Sequence, residues 1–310
     1  MDKFEVVIPV IPQDFKRCYK NYNLMERFLP VKRFVFIGPE ELKEEIEKLE
    51  LNHCEKVFIN ENDIIPFNDV KRAITNRVER EGYTIAGNSR LGWYYQQFLK
   101  LSYSEICDED YYFVWDSDTI PVRPVELLNE NGIPYLDVKV EYYKSYFDTI
   151  HALFPELDKA IDYSFISEHM LFSVKNVKEM IHRINDTDYQ GDTYYEKIMS
   201  AIELANLKLG FSEFETYGTY MYVNHPDDYE IRRWYSMRSA GYMFEADKLT
   251  VDDIEWLAKD FSALSFEKNS YIVGPLYDMF HNENYRRLLT PMQIYMKVQE
   301  SGLFSGMKDG

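Results

Sequence analysis

Three short apolar runs constrain this chain more than any other feature: Phe4–Val10 (FEVVIPV), Arg33–Ile37 (RFVFI) and Lys56–Ile59 (KVFI). Runs of this length, rich in Val, Ile and Phe and lacking polar alternation, read as strands buried on both faces of a parallel sheet. A helical stretch carrying Tyr19, Tyr22, Leu24, Met25 and Phe28 separates the first two. Gly38-Pro39 stops the second strand, and Glu40–Leu51 follows as a charged helix whose Glu and Lys side chains form a solvated face. Strand, helix, strand, helix, strand in this order requires right-handed crossovers and a doubly wound sheet.

The alternation continues with a helix over Ser89–Ile106 and a strand at Asp110–Trp115. Ligands of open α/β sheets bind beyond the carboxyl ends of such strands. Asp116-Ser117-Asp118 therefore stands where a site is expected. The second half alternates less regularly. Phe165–Val174 reads as a strand leading into a helix from about Asn176, and Thr193–Leu207 as a helix. Gly210–Val223 is aromatic and partly strand-like. Asp252–Phe261 and Pro291–Ser301 read as helices, and Gly302–Gly310 as a frayed tail. No repeat or low-complexity linker interrupts the chain, so a single domain is expected.

Charge narrows the function classes. With 35 basic and 53 acidic residues the chain carries −18, a surface that repels nucleic-acid backbones. A phosphate ligand remains compatible if a metal and a few local cations are supplied. Cys18, Cys54 and Cys107 are far apart and form neither a disulfide framework nor a zinc site, so a reducing compartment is expected. The N-terminus shows no charged-then-apolar leader and no run reaches the length of a membrane span. The expected localisation is cytoplasmic, with membrane contact only peripheral. The 26 tyrosines suit a sugar-binding cleft as well as ordinary half-buried positions.

The strongest chemical signal is Val114-Trp115-Asp116-Ser117-Asp118-Thr119. Two carboxylates one residue apart just past a buried strand can hold a hard cation through oxygen, and such an ion bridges the phosphates of a nucleotide diphosphate. Asp186-Thr187-Asp188 has the same spacing in a polar loop, where a solvated turn explains it. Arg90 lies near a helix start, where a diphosphate also meets free N–H groups. Gln96 and Gln97 are adjacent, so at most one reaches a ligand, and Lys100 follows one turn on. In Glu168-His169, between Ile166 and Met170, the His offers a general base, a hydrogen-bond donor to a hydroxyl, a metal ligand or a structural role. Glu213 and Glu215 share a face if Ser212–Gly218 is extended, and either could deprotonate an acceptor hydroxyl, as could Glu168. His225, with Arg232, Arg233 and Arg238 around Trp234, offers a third metal ligand and phosphate contacts, or packing alone.

With these pieces assembled, the chain resembles GT-A-fold glycosyltransferases of bacterial surface-polysaccharide synthesis. The VVIPV strand, Arg90–Lys100 (RLGWYYQQFLK), WDSDT, Ser167–Met170 and Ser212–Gly218 carry the resemblance, which runs from Phe4 to Gly241. It implies a Rossmann-related, mostly parallel sheet flanked by helices in a single domain over 1–245. Within it, 1–120 would bind nucleotide and 121–245 acceptor, with a helical extension at 246–310 packed on the same domain. It also implies a hexosyl transfer from a nucleotide sugar, expected to be a UDP-sugar, to a glycan or glycolipid, assisted by Mn²⁺ or Mg²⁺. Pro9, Val10 and Ile11 would line the nucleoside pocket, joined by Arg90, Gln97, Lys100, Asp116 and Ser117. Asp116, Asp118 and His225 would hold the ion, and Glu213, Glu215, Glu168 or His169 would act in catalysis. Two other classes remain: a nucleotidyltransferase-like enzyme, disfavoured because no Gly-rich phosphate loop follows the first strand, and a non-catalytic carbohydrate-binding module.

Overall fold

A computed structural model describes residues 2–80, 90–268 and 270–302. In chain order its strands are β1 (Phe4–Pro9), β2 (Val31–Gly38), β3 (Glu55–Asn60), β4 (Tyr111–Trp115), β5 (Thr119–Pro121), β6 (Tyr135–Val138), β7 (His169–Ser173), β8 (Glu230–Arg233), β9 (Ser236–Met237) and β10 (Ala263–Ser265). The central sheet has the order β3-β2-β1-β4-β7. Every neighbouring pair in it is parallel except β4 and β7. The expected mixed α/β architecture with a mostly parallel sheet is thus observed.

Alternation along each strand divides the side chains between two faces. Val6, Ile8, Phe34, Phe36, Phe113 and Trp115 pack with Phe15, Tyr22, Met25 and Ile46 from the helices on one side. Val7, Val35, Ile37, Tyr112 and Val114 pack with Tyr94, Phe98, Val177 and Tyr217 on the other. With apolar cover on both faces, the strands need no polar alternation, which is why they read as continuous apolar runs.

Several elements differ from expectation. The Ser89–Ile106 helix is formed over Leu91–Ser102 with a 3₁₀ turn at Tyr103–Glu105, and Ser89 lies outside the described residues. The strand expected at Phe165–Val174 is confined to β7 and runs antiparallel to β4, with Trp115 opposite His169. Its beginning therefore lies beside the carboxyl end of β4. Gly210–Val223 is not extended: Glu213–Asn224 is a helix, started by the Ser212 side chain accepting the Glu215 N–H at 3.3 Å. The aromatic, strand-like composition yields to this Ser-x-x-Glu capping signal. The helix also packs closely on the Phe165 loop, because a Cβ at Gly218 would stand 2.2 Å from the Phe165 ring.

The segment after residue 245 is not only helical. Its helices Val251–Leu257, Gly274–His281 and Pro291–Glu300 accompany β10, which pairs antiparallel with β5, Leu264 opposite Ile120. Trp256, Leu276 and Ile294 form one core with Ile120 and Val122. The end of the expected frayed tail, 303–310, lies outside the described residues. Among the described residues no helix is long and apolar enough to cross a membrane.

Candidate active site at the carboxyl edge of the sheet

The turn from β4 into β5 is held by its own backbone and by distant elements. Trp115 is fully buried and its indole N–H donates to the Thr119 carbonyl at 2.7 Å. The Asp116 N–H donates to the Glu168 carbonyl at 2.9 Å, and the Asp118 carbonyl accepts the Phe266 N–H at 2.8 Å. Asp116 and Asp118 thus emerge from a fixed turn at the edge where the parallel strands end. The register Val7 opposite Val114 puts Pro9 level with Asp116. Val10 is buried beside it, while Ile11, 41% exposed, starts the helix Pro12–Cys18.

Lys100 is buried on the Leu91–Ser102 helix and reaches both Asp116 Oδ1 and Glu213 Oε1 at 2.6 Å. Its ammonium also lies 4.3 Å from the centre of the Phe214 ring. Burial works against the charge on Lys100, but the two carboxylates outweigh it and its pKa rises. Burial pushes the Glu213 carboxyl up, Lys100 opposes this, and Asp116 adds to the rise.

Asp118 is half-buried in a crowded acidic focus. Loss of water raises its pKa to about 7, Asp116, Asp14 and Glu267 add to this, and Arg17 opposes them. Asp14 is raised likewise, by burial first and partly by Asp116. Arg17 pairs with Asp14 at 3.0 Å and also donates to the Phe266 carbonyl at 2.6 Å, so its charge is divided. Among the described residues no three His, Cys, Asp or Glu side chains converge into a metal-holding group. Two carboxylates with excess negative charge around them nevertheless fit a hard divalent ion that keeps waters and takes phosphate oxygens as its other ligands.

Glu168 adopts the left-handed region, φ 63°, directly before β7. A non-glycine residue there carries strain of about 1–3 kcal/mol, which persists only where its surroundings fix it. Here Lys139 at 2.5 Å, Ser236 Oγ at 3.0 Å and Arg238 Nε at 3.7 Å hold the buried carboxylate. Burial alone would raise its pKa, yet Lys139 and Arg238 bring it below the usual value. Glu168 is therefore an ionised anchor whose carbonyl positions Asp116. Arg90, φ 68°, also lies in the left-handed region, at the start of its helix with its guanidinium over Trp93 at 5.4 Å.

Other expected site residues are placed elsewhere. Gln97 is buried, with Oε1 accepting the Glu213 N–H at 3.0 Å and Nε2 donating to the Trp93 carbonyl at 3.1 Å, so both its ends are structural. His169 is sealed among Trp115, Phe113 and Trp234, with Nε2 2.9 Å from Asp137 and Nδ1 2.8 Å from the Ser167 carbonyl. Arg232 completes this buried pair from Nη2 at 2.7 Å. His225 faces Glu179 at 3.2 Å and Asp228 at 3.6 Å. Asp228 shares a small cavity with Tyr111, at the opposite end of β4 from Asp116, about 16 Å away at ~3.3 Å per residue. His225 is thus not brought to the aspartates. Arg233 lies over Tyr163 and Tyr235. Ser117 is buried within the turn.

The helix also separates Glu213 from Glu215. Residues two apart on a helix do not share a face, and Glu215 points to Ser164, whose hydroxyl donates to it. Burial pushes the Glu215 pKa up to about 7, against Ser164 and the Phe165 N–H. For a carboxyl raised in this way, the stability contribution is fully present below its unfolded value near 4.5 and is lost as pH rises through about 7. Glu215→Gln is expected to remove that loss, about 3 kcal/mol for a shift of this size. Urea unfolding should show the variant gaining stability over wild type at pH 8 and little or none at pH 4. Equal differences at both values would mean that Glu215 titrates normally.

Sequence reasoning missed Asp14, Arg17, Lys139, Glu141 and Glu267. Asp14 stands just past the carboxyl end of β1, where the rule that picked out Asp116 also applies. Glu267 carries no such signal, because only the pairing of β10 with β5 brings it near Asp118.

A family model described as "Family of unknown function (DUF6492)" matches residues 1–270. No curated protein matches the chain. Similar solved structures include the crystal structure of mouse xyloside xylosyltransferase 1 in its apo form, at 11% identity and a TM-score of 0.45, covering 87% of this chain and 100% of that one. Another is the apo structure of the WbbM bifunctional glycosyltransferase, at 12% identity and a TM-score of 0.44, covering 96% of this chain and 52% of that one.

Proposed function

This chain belongs to the DUF6492 family, and we propose that it is a glycosyltransferase using a nucleotide-diphosphate sugar, with a divalent ion held by Asp116 and Asp118. The observation that carries this reading is the acidic focus at the carboxyl edge of the sheet, where Asp14, Asp116 and Glu267 crowd Asp118 and Arg17 opposes them. Mn²⁺ or Mg²⁺ bound there would neutralise charge on a departing diphosphate. Pro9, Val10 and Ile11 border the same edge and would receive the nucleoside, with UDP the expected base and phosphates. Lys100 holds the Asp116 carboxylate in place. Glu213, on the far side of Lys100, is the carboxylate best placed to take a proton from an acceptor hydroxyl, and a glycan or glycolipid of surface-polysaccharide synthesis is the expected acceptor. Glu215 and His169 keep structural roles in this reading.

Thermal unfolding with UDP, GDP and ADP, each with and without Mn²⁺, tests it directly, since a ligand of the folded state raises the midpoint. A rise with one nucleotide that needs Mn²⁺ is expected. No rise with any nucleotide at millimolar Mn²⁺ would sink the proposal. Arg90→Ala should weaken the nucleotide by about tenfold, because charge-assisted bonds to phosphate are among the stronger polar contacts. Unchanged affinity in the folded variant would leave Arg90 as a helix-start residue over Trp93.

A further inference from the structure

The loop between β6 and the helix Lys144–Leu153 exposes Val140, Tyr142 and Tyr143 at 73%, 57% and 37%. Tyr143 leans on buried Tyr146, ring centres 5.1 Å apart, so one side of its ring is packed while part remains open. Glu141, beside it, accepts at Oε1 from Arg238 Nη1 at 2.5 Å, while its Oε2 is buried without a hydrogen-bond partner. An acceptor oxygen left without a partner in this way is costly, and a rotation of the Glu141 side chain toward Tyr143 would let a ligand hydroxyl supply the donor. Arg238 stands 3.7 Å from Glu168 and 3.6 Å from Glu267 and so ties the loop to the Asp116–Asp118 turn. Tyr143 lies within electrostatic reach of Glu141, Arg238, Glu267 and Arg90.

We infer that Tyr143, Glu141 and Arg238 form the acceptor subsite of the proposed transferase, built for a neutral pyranose. The inference rests on that reading. An open aromatic ring beside a carboxylate and a guanidinium matches a sugar, whose C–H face stacks while its hydroxyls donate to Glu141 and accept from Arg238. Arg238 is already shared among the carboxylates of Glu141, Glu168 and Glu267, so little of its charge is left to pair with a uronic acid or a phosphorylated acceptor.

Saturation-transfer NMR on the full chain with UDP and diamagnetic Mg²⁺ in place of Mn²⁺ tests it, using methyl glucoside, galactoside and mannoside of both anomers, with methyl glucuronide as the acidic control. At least one neutral glycoside should receive saturation on its ring C–H protons, and the glucuronide should not. Tyr143→Ala should weaken that glycoside by about tenfold, Tyr143→Phe should retain it, and Glu141→Gln should weaken it. Mn²⁺-dependent UDP binding should persist in all three, which also reports that each is folded. If UDP binds but no neutral glycoside does, or if Tyr143→Ala and Glu141→Gln leave the signal intact, the subsite is wrong. Preferred binding of the glucuronide overturns the ligand class. Failure of the wild-type chain to bind any nucleotide would instead remove the transferase reading.

Discussion

Lys100→Met is expected to cost about 3–5 kcal/mol of folding stability at pH 8, the scale for removing one partner of a buried ion pair. Lys100 and Glu213 are buried, and no other cation lies within ion-pair distance of either among the described contacts. Methionine retains the apolar stem but leaves the carboxylates of Asp116 and Glu213 facing each other. Glu213, already pushed up by burial, would then take a proton over a wider pH range. The deficit should therefore shrink as pH falls and Glu213 takes up a proton, since a neutral Glu213 no longer needs the cation. A Lys100→Met, Glu213→Gln double variant should recover part of the loss, and urea unfolding of the four proteins gives the coupling. A single-variant loss below about 1 kcal/mol would mean that the pair is solvated and that Lys100 does not fix Asp116.

Asp118→Asn should have opposite effects on function and on metal-free stability. Without a metal, Asp118 is held at about 7 by burial and by the carboxylates around it. Its contribution to stability is present below the ordinary value near 3.8 and is lost as pH rises through 7. The asparagine variant should accordingly melt higher than wild type at pH 8 in a chelator, with the difference closing toward pH 4. Mn²⁺-dependent nucleotide binding should disappear, and turnover should drop by about a thousandfold or more, since several kcal/mol of leaving-group stabilisation depend on the ion. A variant that keeps near wild-type turnover would remove the metal from the mechanism. Lower metal-free stability at pH 8 would show that Asp118 is well neutralised by Arg17.

The parallel core was legible because its signal is local. Phe4–Val10 and Arg33–Ile37 are almost wholly apolar, and burial on both faces explains them, whereas Lys56–Ile59 lies in the edge strand β3, which is only half-buried. Asp116 and Asp118 were legible for the same reason, standing directly after such a run. The rest depended on partners far along the chain. Glu213 and Glu215 were paired on one face because the aromatic segment read as extended, whereas the Ser212 cap wound it into a helix and turned Glu215 toward Ser164. His169 looked reactive beside Glu168, yet Asp137 and three aromatic rings enclose it, and none of these is a sequence neighbour. Lys100 was placed near phosphate, and its charge is committed instead to Asp116 and Glu213. Burial decides such cases, and burial of a polar side chain depends on elements that local pattern does not reveal.

The pairing of β10 with β5 also bears on how the protein comes into being. Residues 263–265 meet residues 119–121, and the Phe266 N–H closes on the Asp118 carbonyl. During synthesis the chain emerges N-terminus first, so the acidic turn is made long before its clasp exists. The parallel strands β1, β2 and β4 can assemble while Asp116 and Asp118 still lack the strand that fixes Asp118. Closing a loop of this span carries an entropic cost that grows only slowly with length, but it delays the contact and raises the contact order. A nascent chain halted before residue 263 would therefore hold a formed sheet and an unfinished acidic turn, which would be completed only once residues 263–266 have emerged.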